Sequence, residues 1–144
     1  MFTENKLMDA GRVLFENNPM SVPCSVVCNH EMQCQGSCIL VRKSNPIHFS
    51  SIENFISDAY LDRMDLSGLP KKSQKVGIIG SGPAGLTVAI QLAMQGYRVT
   101  IFEEKSMIGG MLRYASRSSG CPRRCWTGTC AFWASWECRC APIP

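Results

Sequence analysis

Apolar residues along this chain change their spacing several times, and those changes divide it. Leu7, Ala10, Gly11, Leu14 and Phe15 recur at three- and four-residue steps, which predicts a helix over residues 4–17. Asn17-Asn18-Pro19 stops it, because proline disfavours helix at the residue before it. Residues 20–49 have little periodicity and contain Pro23 and Pro46, which predicts short helical turns and loops shaped by something other than a core. Helical spacing returns with Ile52, Phe55, Ile56, Ala59, Tyr60 and Met64. Ser50-Ser51-Ile52-Glu53 has the S-x-x-E form of a capping box, so this helix should begin there and run to Arg63.

"DLSGLPKKSQ" (65–74) is a linker by composition and marks a domain boundary. Beyond it the pattern is different. "KVGIIG" is a short buried strand, "PAGLTVAIQLAMQG" a helix closed by Gly96 at C′, and "RVTIFEE" a second strand. Strand, glycine-rich turn, helix and strand form the opening unit of a doubly wound α/β sheet. The predicted organisation is a helical domain over 1–64, a linker over 65–74 and an incomplete Rossmann-like domain over 75–114. A tail of different composition fills 115–144.

Composition narrows the function classes. At 45% hydrophobic and 18% charged the chain is globular, and no apolar run approaches the length of a membrane span. The start, "MFTENK", is polar and offers no signal-peptide core, so the cytoplasm is the expected compartment. Formal net charge is +4, but +3 of it lies in the tail, in Arg117, Arg123, Arg124 and Arg139 against Glu137. No basic run is interleaved with aromatics, which argues against nucleic acid.

Two motifs carry candidate chemistry. "GSGPAG" is Gly80-Ser81-Gly82-Pro83-Ala84-Gly85, placed after a strand and opening a helix. Gly80 permits the tight turn, Gly82 lets backbone approach a pyrophosphate, and Gly85 lets the helix pack close to the strand. The helix N-terminus offers free N–H groups and partial positive charge to the phosphates. Glu103 ends the second strand about 20 residues on, where an acid accepts hydrogen bonds from a ribose. An acid there favours FAD or NAD over a 2′-phosphorylated nucleotide.

The second motif, "CSVVCNHEMQCQGSC", spaces Cys24, Cys28, Cys34 and Cys38 as C-x3-C-x5-C-x3-C. Disulfides do not suit a cytoplasmic chain, and this is not a usual zinc spacing. Iron–sulfur ligation, zinc and ordinary buried thiols all stay open on spacing alone. His30 and His48 lie nearby and are read as surface or packing residues. Met8, Met20, Met32 and Met64 are read as core filling.

Together, the segment from "NNPMSVPCSVVCNHEMQCQGSC" through "KVGIIGSGPAGLTVAIQLAMQGYRVTIFEEKSMIGGMLRY" resembles the small subunit of bacterial glutamate synthase. It is equally similar to the N-terminal half of dihydropyrimidine dehydrogenase and to related NAD(P)H-dependent flavoprotein oxidoreductases. The resemblance covers residues 10–114. It implies an α-helical domain holding [4Fe–4S] clusters, then a domain binding FAD, then a nicotinamide domain. Electrons would pass from NAD(P)H to FAD, through the clusters, to a partner oxidoreductase subunit or domain.

By position, Gly80, Gly82, Ala84 and Gly85 match the family's phosphate loop, with Ser81 and Pro83 inside it, and Glu103 matches the ribose acid. Gly109, Gly110 and Leu112 match a flavin-contacting "GG-x-L". Cys28, Cys34 and Cys38 match cluster ligands, and Cys24 matches a recurring cysteine. Glu53 falls where the family has a Glu or Gln ligand, although it is also the N3 residue of the capping box. The family has a further cysteine group upstream; only a cysteine-free helix precedes Cys24 here, so the ligand set is expected to be incomplete.

The tail breaks with the family. After "GG-x-L-x-Y" the relatives continue "GIP-x-FRLP", whereas this chain has "ASRSSGCPRR". Joining the third base of each codon to the first two of the next forces several letters. Cys125-Trp126 and Phe132-Trp133 must give Leu, Trp126-Thr127 must give Asp, and Trp133-Ala134 and Trp136-Glu137 must give Gly. With codons chosen freely elsewhere, and one base restored beside the Tyr114 codon, that frame can read "GIPxFRLPxEVLDRDLxILxxLGVxVRTNT", the family's continuation. Residues 115–144 are therefore read as a frame-shifted, non-native tail, expected to pack poorly, whose five cysteines and three tryptophans carry no selected function.

The expected function is that of an N-terminal fragment of an iron–sulfur flavoprotein oxidoreductase, with no catalytic acid or base of its own. The competing expectations are a truncated, non-catalytic product that binds FAD weakly, and a zinc module beside a Rossmann unit.

Overall fold

The computed structural model describes residues 6–114 and 139–142. It divides into two compact units, residues 1–62 and 63–144.

The first unit is helical. Helix α1 spans Leu7–Asn17, α2 spans Ser21–Val27 and α3 spans Phe49–Leu61. Between α2 and α3 the chain makes two short 3-10 turns, His30–Met32 and Ile39–Arg42. Both α1 and α2 pack on α3. The α1–α3 contact is close because Gly11 has no side chain: a Cβ there would collide with Cβ of Tyr60. One turn on, Phe15 is buried with its ring 5.8 Å from that of Tyr60. Phe15, Met20, Val22 and Ile56 form the small core.

The α2–α3 contact is polar at its centre. Ser21, Ser25 and Ser57 are buried, and the Ser21 and Ser57 hydroxyls meet at 2.7 Å. Asn54 donates to Ser25 Oγ at 3.0 Å, and Ser25 donates to the Val22 carbonyl at 2.7 Å. Buried polar atoms are tolerated when paired in this way. Pro23 sits in the first turn of α2, where no intrahelical N–H bond is lost.

The expected capping box does not form. The chain enters α3 through Pro46-Ile47-His48, and helical bonding starts at the His48 carbonyl, which accepts from Ile52 N–H at 3.2 Å. Ser50 therefore lies inside the first turn, and His48 at the N-cap makes no side-chain cap bond. The Ser50 hydroxyl is instead within 3.4 Å of Gln35 Nε2. Glu53 is thus free of the capping role that its spacing suggested.

The second unit is α/β. Strand β1 (Lys75–Ile79) leads through the glycine-rich turn to α4 (Pro83–Met94), and β2 (Arg98–Glu103) returns parallel to β1, Lys75 opposite Arg98 and Ile79 opposite Phe102. Leu86, Ala89, Ile90 and Ala93 line one face of α4 at helical spacing and are buried, as are Val99 and Ile101 of β2. Gly96 has φ +90°, and the N–H groups of Gly96 and Tyr97 bond the carbonyls of Ala93 and Leu92. This is the expected glycine C′ closure in its Schellman form.

Residues of the 65–74 segment lie against this unit: Lys72 N–H bonds the Gly96 carbonyl at 2.8 Å and its ammonium sits 4.0 Å from the centre of the Tyr97 ring. A short helix, α5 (Met111–Tyr114), follows β2. Strand β3 (Arg139–Pro142) then pairs parallel with the far edge of β2, giving the order β1-β2-β3. This order is that of one half of a doubly wound sheet.

These four residues are the part of the tail that the structure describes. Pairing uses backbone carbonyls and, at every residue but proline, backbone N–H groups, so an open strand edge can accept an extended segment with little regard to its side chains. Residues 115–138, which hold most of the tail, lie outside the described residues.

Candidate functional site

In the second unit the site grows from the turn between β1 and α4. Gly80 takes φ +92°, and its N–H bonds the Phe102 carbonyl at 2.8 Å, so the turn stays tied to β2. Gly82 caps α4 and Pro83 occupies the first turn. A Cβ at Gly85 would collide with the Gly80 carbonyl oxygen, whereas one at Gly82 would meet nothing within 4 Å. The first glycine is demanded by packing within the protein. The second leaves open space at the helix N-terminus, where a pyrophosphate would lie. Thr87 closes the first turn by donating to the Pro83 carbonyl at 2.8 Å.

Glu103 stands at the end of β2, facing this turn. Its Oε2 accepts from the Ser81 hydroxyl and from Ser81 N–H at 2.9 Å, and its Oε1 accepts from Lys105 N–H at 2.9 Å. The Ser81 hydroxyl, then the Lys105 and Ser81 N–H groups, hold the Glu103 carboxyl below its ordinary pKa. A carboxylate with lone pairs to spare beside an open helix N-terminus suits a ribose hydroxyl.

The Gly109-Gly110 loop docks on the same turn. Gly109 N–H bonds the Ser81 carbonyl at 3.0 Å, and Gly110, at φ +50°, lies so near that a Cβ would come within 2.8 Å of Gly82 Cα. Leu112 lies in α5, whose start carries the exposed Met111. The structure thus brings Gly80, Ser81, Gly82, Pro83, Ala84, Gly85, Glu103, Gly109 and Gly110 into one neighbourhood.

In the first unit the cysteines lie around the C-terminal end of α2. Cys24 is in that helix and Cys28 caps it. Burial first, then the charges of Cys24, Glu53 and Cys34, push the Cys28 thiol upward in pKa. Burial likewise raises the Glu53 carboxyl. Cys38 has a different setting, lowered in pKa by the backbone N–H groups of Ile47, Leu40 and Val41. All four thiols are free. Among the described residues no three His, Cys, Asp or Glu side chains converge closely enough to hold a metal ion. The donor types fit an iron–sulfur cluster; the spacing of their atoms does not by itself close a ligand sphere.

Sequence reasoning gave His30 a surface or packing role and passed over Ser25. His30 Nε2 lies 3.1 Å from the Ser25 carbonyl, and Nδ1 lies 3.4 Å from Cys34 Sγ. A carbonyl only accepts, so Nε2 carries a proton and donates to it, while Nδ1 faces the Cys34 sulfur. The buried serine layer thereby fixes the cysteine loop to α2. Nothing in the spacing of the cysteines signals this link.

Comparison with known proteins agrees with both units. Residues 1–64 match the family described as dihydropyrimidine dehydrogenase domain II, 4Fe-4S cluster. Residues 78–137 match the NAD(P)-binding Rossmann-like domain, a match that runs past Tyr114 into the tail. The glutamate synthase [NADPH] small chain of Escherichia coli (strain K12) is 32% identical over 114 residues, 77% of this chain and 24% of that protein. Each unit thus matches one of these two domain families, and the chain as a whole is similar to the glutamate synthase small chain.

The NAD-dependent dihydropyrimidine dehydrogenase subunit PreT of Escherichia coli (strain K12) is 37% identical over 106 residues, 72% of this chain and 26% of that protein. A glutamate synthase [NADPH] small chain from Halomonas elongata is 30% identical over 117 residues, 79% of this chain and 25% of that protein. The chain spans about a quarter of the length of these relatives. Among the described residues no helix is long and apolar enough to cross a membrane.

Proposed function

We propose that this chain is the electron-entry portion of a cytoplasmic NAD(P)H-dependent oxidoreductase, with FAD at the glycine-rich turn and iron–sulfur ligands in the helical unit. The observation that carries the reading is the cradle in the second unit. An uncovered helix N-terminus at Gly82, a carboxylate held ready at Glu103 and a second glycine pair at Gly109-Gly110 meet at one turn. Gly80, Gly82, Ala84 and Gly85 would admit the pyrophosphate, Glu103 the ribose, and Gly109, Gly110 and Leu112 the flavin side. Ser81 and Pro83 shape the turn. Cys24, Cys28, Cys34, Cys38 and Glu53 would contribute to cluster ligation.

When bound, a flavin supplies the means to accept a hydride's two electrons and pass them on singly, which suits delivery through iron–sulfur clusters to a partner oxidoreductase subunit or domain. The chain's own residues bind and orient; among the described residues we assign none as a catalytic acid or base. Glu103, ionised and pre-bonded, favours an unphosphorylated adenosine ribose, which supports FAD at this turn.

Titration of the purified chain with FAD, followed by quenching of flavin fluorescence, tests the reading. Saturable binding is expected, with loss of at least about tenfold in affinity on Gly82→Val, whose side chain enters the pyrophosphate space. Preference for NAD over FAD, or binding indifferent to Gly82→Val, would overturn the flavin assignment. Anaerobic reconstitution with iron and sulfide should give visible absorbance that falls in Cys28→Ser and Cys34→Ser. Stoichiometric zinc with no visible colour would instead make the helical unit a zinc module.

A further inference from the structure

Ser81 occupies a position in the glycine-rich turn where nucleotide binding asks nothing of a side chain. The structure nevertheless buries it completely. Its hydroxyl donates to Glu103 Oε2, the oxygen that also accepts Ser81 N–H at 2.9 Å. The same hydroxyl oxygen accepts Gly109 N–H at 3.1 Å, and the Ser81 carbonyl accepts that N–H at 3.0 Å. One residue therefore joins the turn, the end of β2 and the Gly109-Gly110 loop. A hydroxyl is suited to this because it donates and accepts from a single small atom. Alanine would fill nearly the same volume but remove a donor from Glu103 and an acceptor from Gly109.

We propose that Ser81 is a positioning residue, a latch that holds Glu103 and the Gly109-Gly110 loop in one preorganised cradle for the adenosine diphosphate half of a dinucleotide. The latch stands on the protein's own hydrogen bonds; its ligand rests on the FAD reading above. A cradle already ordered before binding loses less freedom when the ligand arrives, so the latch should appear as affinity.

Two measurements on the full chain test it, with far-ultraviolet circular dichroism confirming that each variant folds. The first is amide hydrogen exchange without ligand. Ser81→Ala should speed exchange at Gly109 roughly tenfold, the effect of losing one of the two acceptors that share its N–H, and leave core amides such as Ile90 and Ile101 unchanged. Unchanged protection at Gly109 overturns the latch. Should Ser81→Ala fail to fold, Ser81→Cys, with its weaker donor and acceptor, decides the matter by showing intermediate exchange or none.

The second is FAD titration of wild type, Ser81→Ala, Glu103→Gln and the double variant. Ser81→Ala should weaken binding roughly tenfold in the wild-type background and much less once Glu103 is replaced, because the two residues act together. Equal weakening in both backgrounds overturns the coupling to Glu103. Failure of the wild type to bind FAD defeats the flavin assignment alone, and exchange at Gly109 still decides the latch.

Discussion

Three donors converge on the carboxylate of Glu103: the Ser81 hydroxyl, Ser81 N–H and Lys105 N–H. All three favour the ionised form, so the folded pKa lies below that of an unfolded glutamate. The sign of the linkage follows. The stabilisation is fully present above the unfolded value and is lost as pH falls through the lowered folded value. Side-chain NMR should therefore show Glu103 titrating at lower pH than a glutamate in an unstructured peptide, and Ser81→Ala should move its midpoint back upward. A wild-type midpoint equal to that of the unstructured glutamate would show that the donors do not hold the ionised form. Around the cysteines, His30 has a comparable local role, since its ring links Ser25 to Cys34.

At the level of elements, each unit depends on one tight contact. In the helical unit, Gly11 lets α1 lie against Tyr60 of α3. Gly11→Ala should destabilise that unit by about 1–3 kcal/mol through overpacking, read as a lower urea midpoint of its helical signal. In the α/β unit, Leu86 of α4 is fully buried. Leu86→Ala should cost about 2–5 kcal/mol and weaken FAD binding through loss of the turn's support rather than of any ligand contact. Both contacts were partly legible beforehand. The periodic apolar positions of α1, α3 and α4 mark which faces turn inward. The capping box was misleading, because S-x-x-E describes only side chains. Where helical bonding begins was settled by the backbone entering from Pro46, which places Ser50 within the helix and leaves Glu53 free of the capping role.

For the whole molecule, an iron–sulfur family match lies beside a Rossmann-like match, and the two support the electron-transferring oxidoreductase proposed above. The chain spans only about a quarter of the length of its relatives, so turnover is a property to be tested rather than carried over. Purified alone, the 144-residue polypeptide is expected to bind FAD without oxidising NAD(P)H, followed as loss of nicotinamide absorbance. Steady oxidation above that of free FAD would assign it a complete catalytic route. The forced codon junctions after Tyr114 make a separate prediction: independent sequencing of the coding DNA should find one base restored beside that codon. An unchanged frame would leave the tail as a genuine part of the protein.

Sequence alone determined what depends on residue type and local spacing: two domains, the strand–turn–helix–strand order, the glycine turn, the acid ending β2 and the clustered cysteines. These are short-range properties, governed by backbone sterics and by the period of apolar side chains. Tertiary structure decided which groups meet. That Ser81 faces inward to Glu103 and Gly109, that His30 bridges Ser25 and Cys34, and that Arg139–Pro142 pairs with β2 all depend on contacts between residues distant in the chain or on the exact path of a turn. Spacing in sequence carries no record of such meetings, because they are fixed only when buried donors must find acceptors in a packed interior.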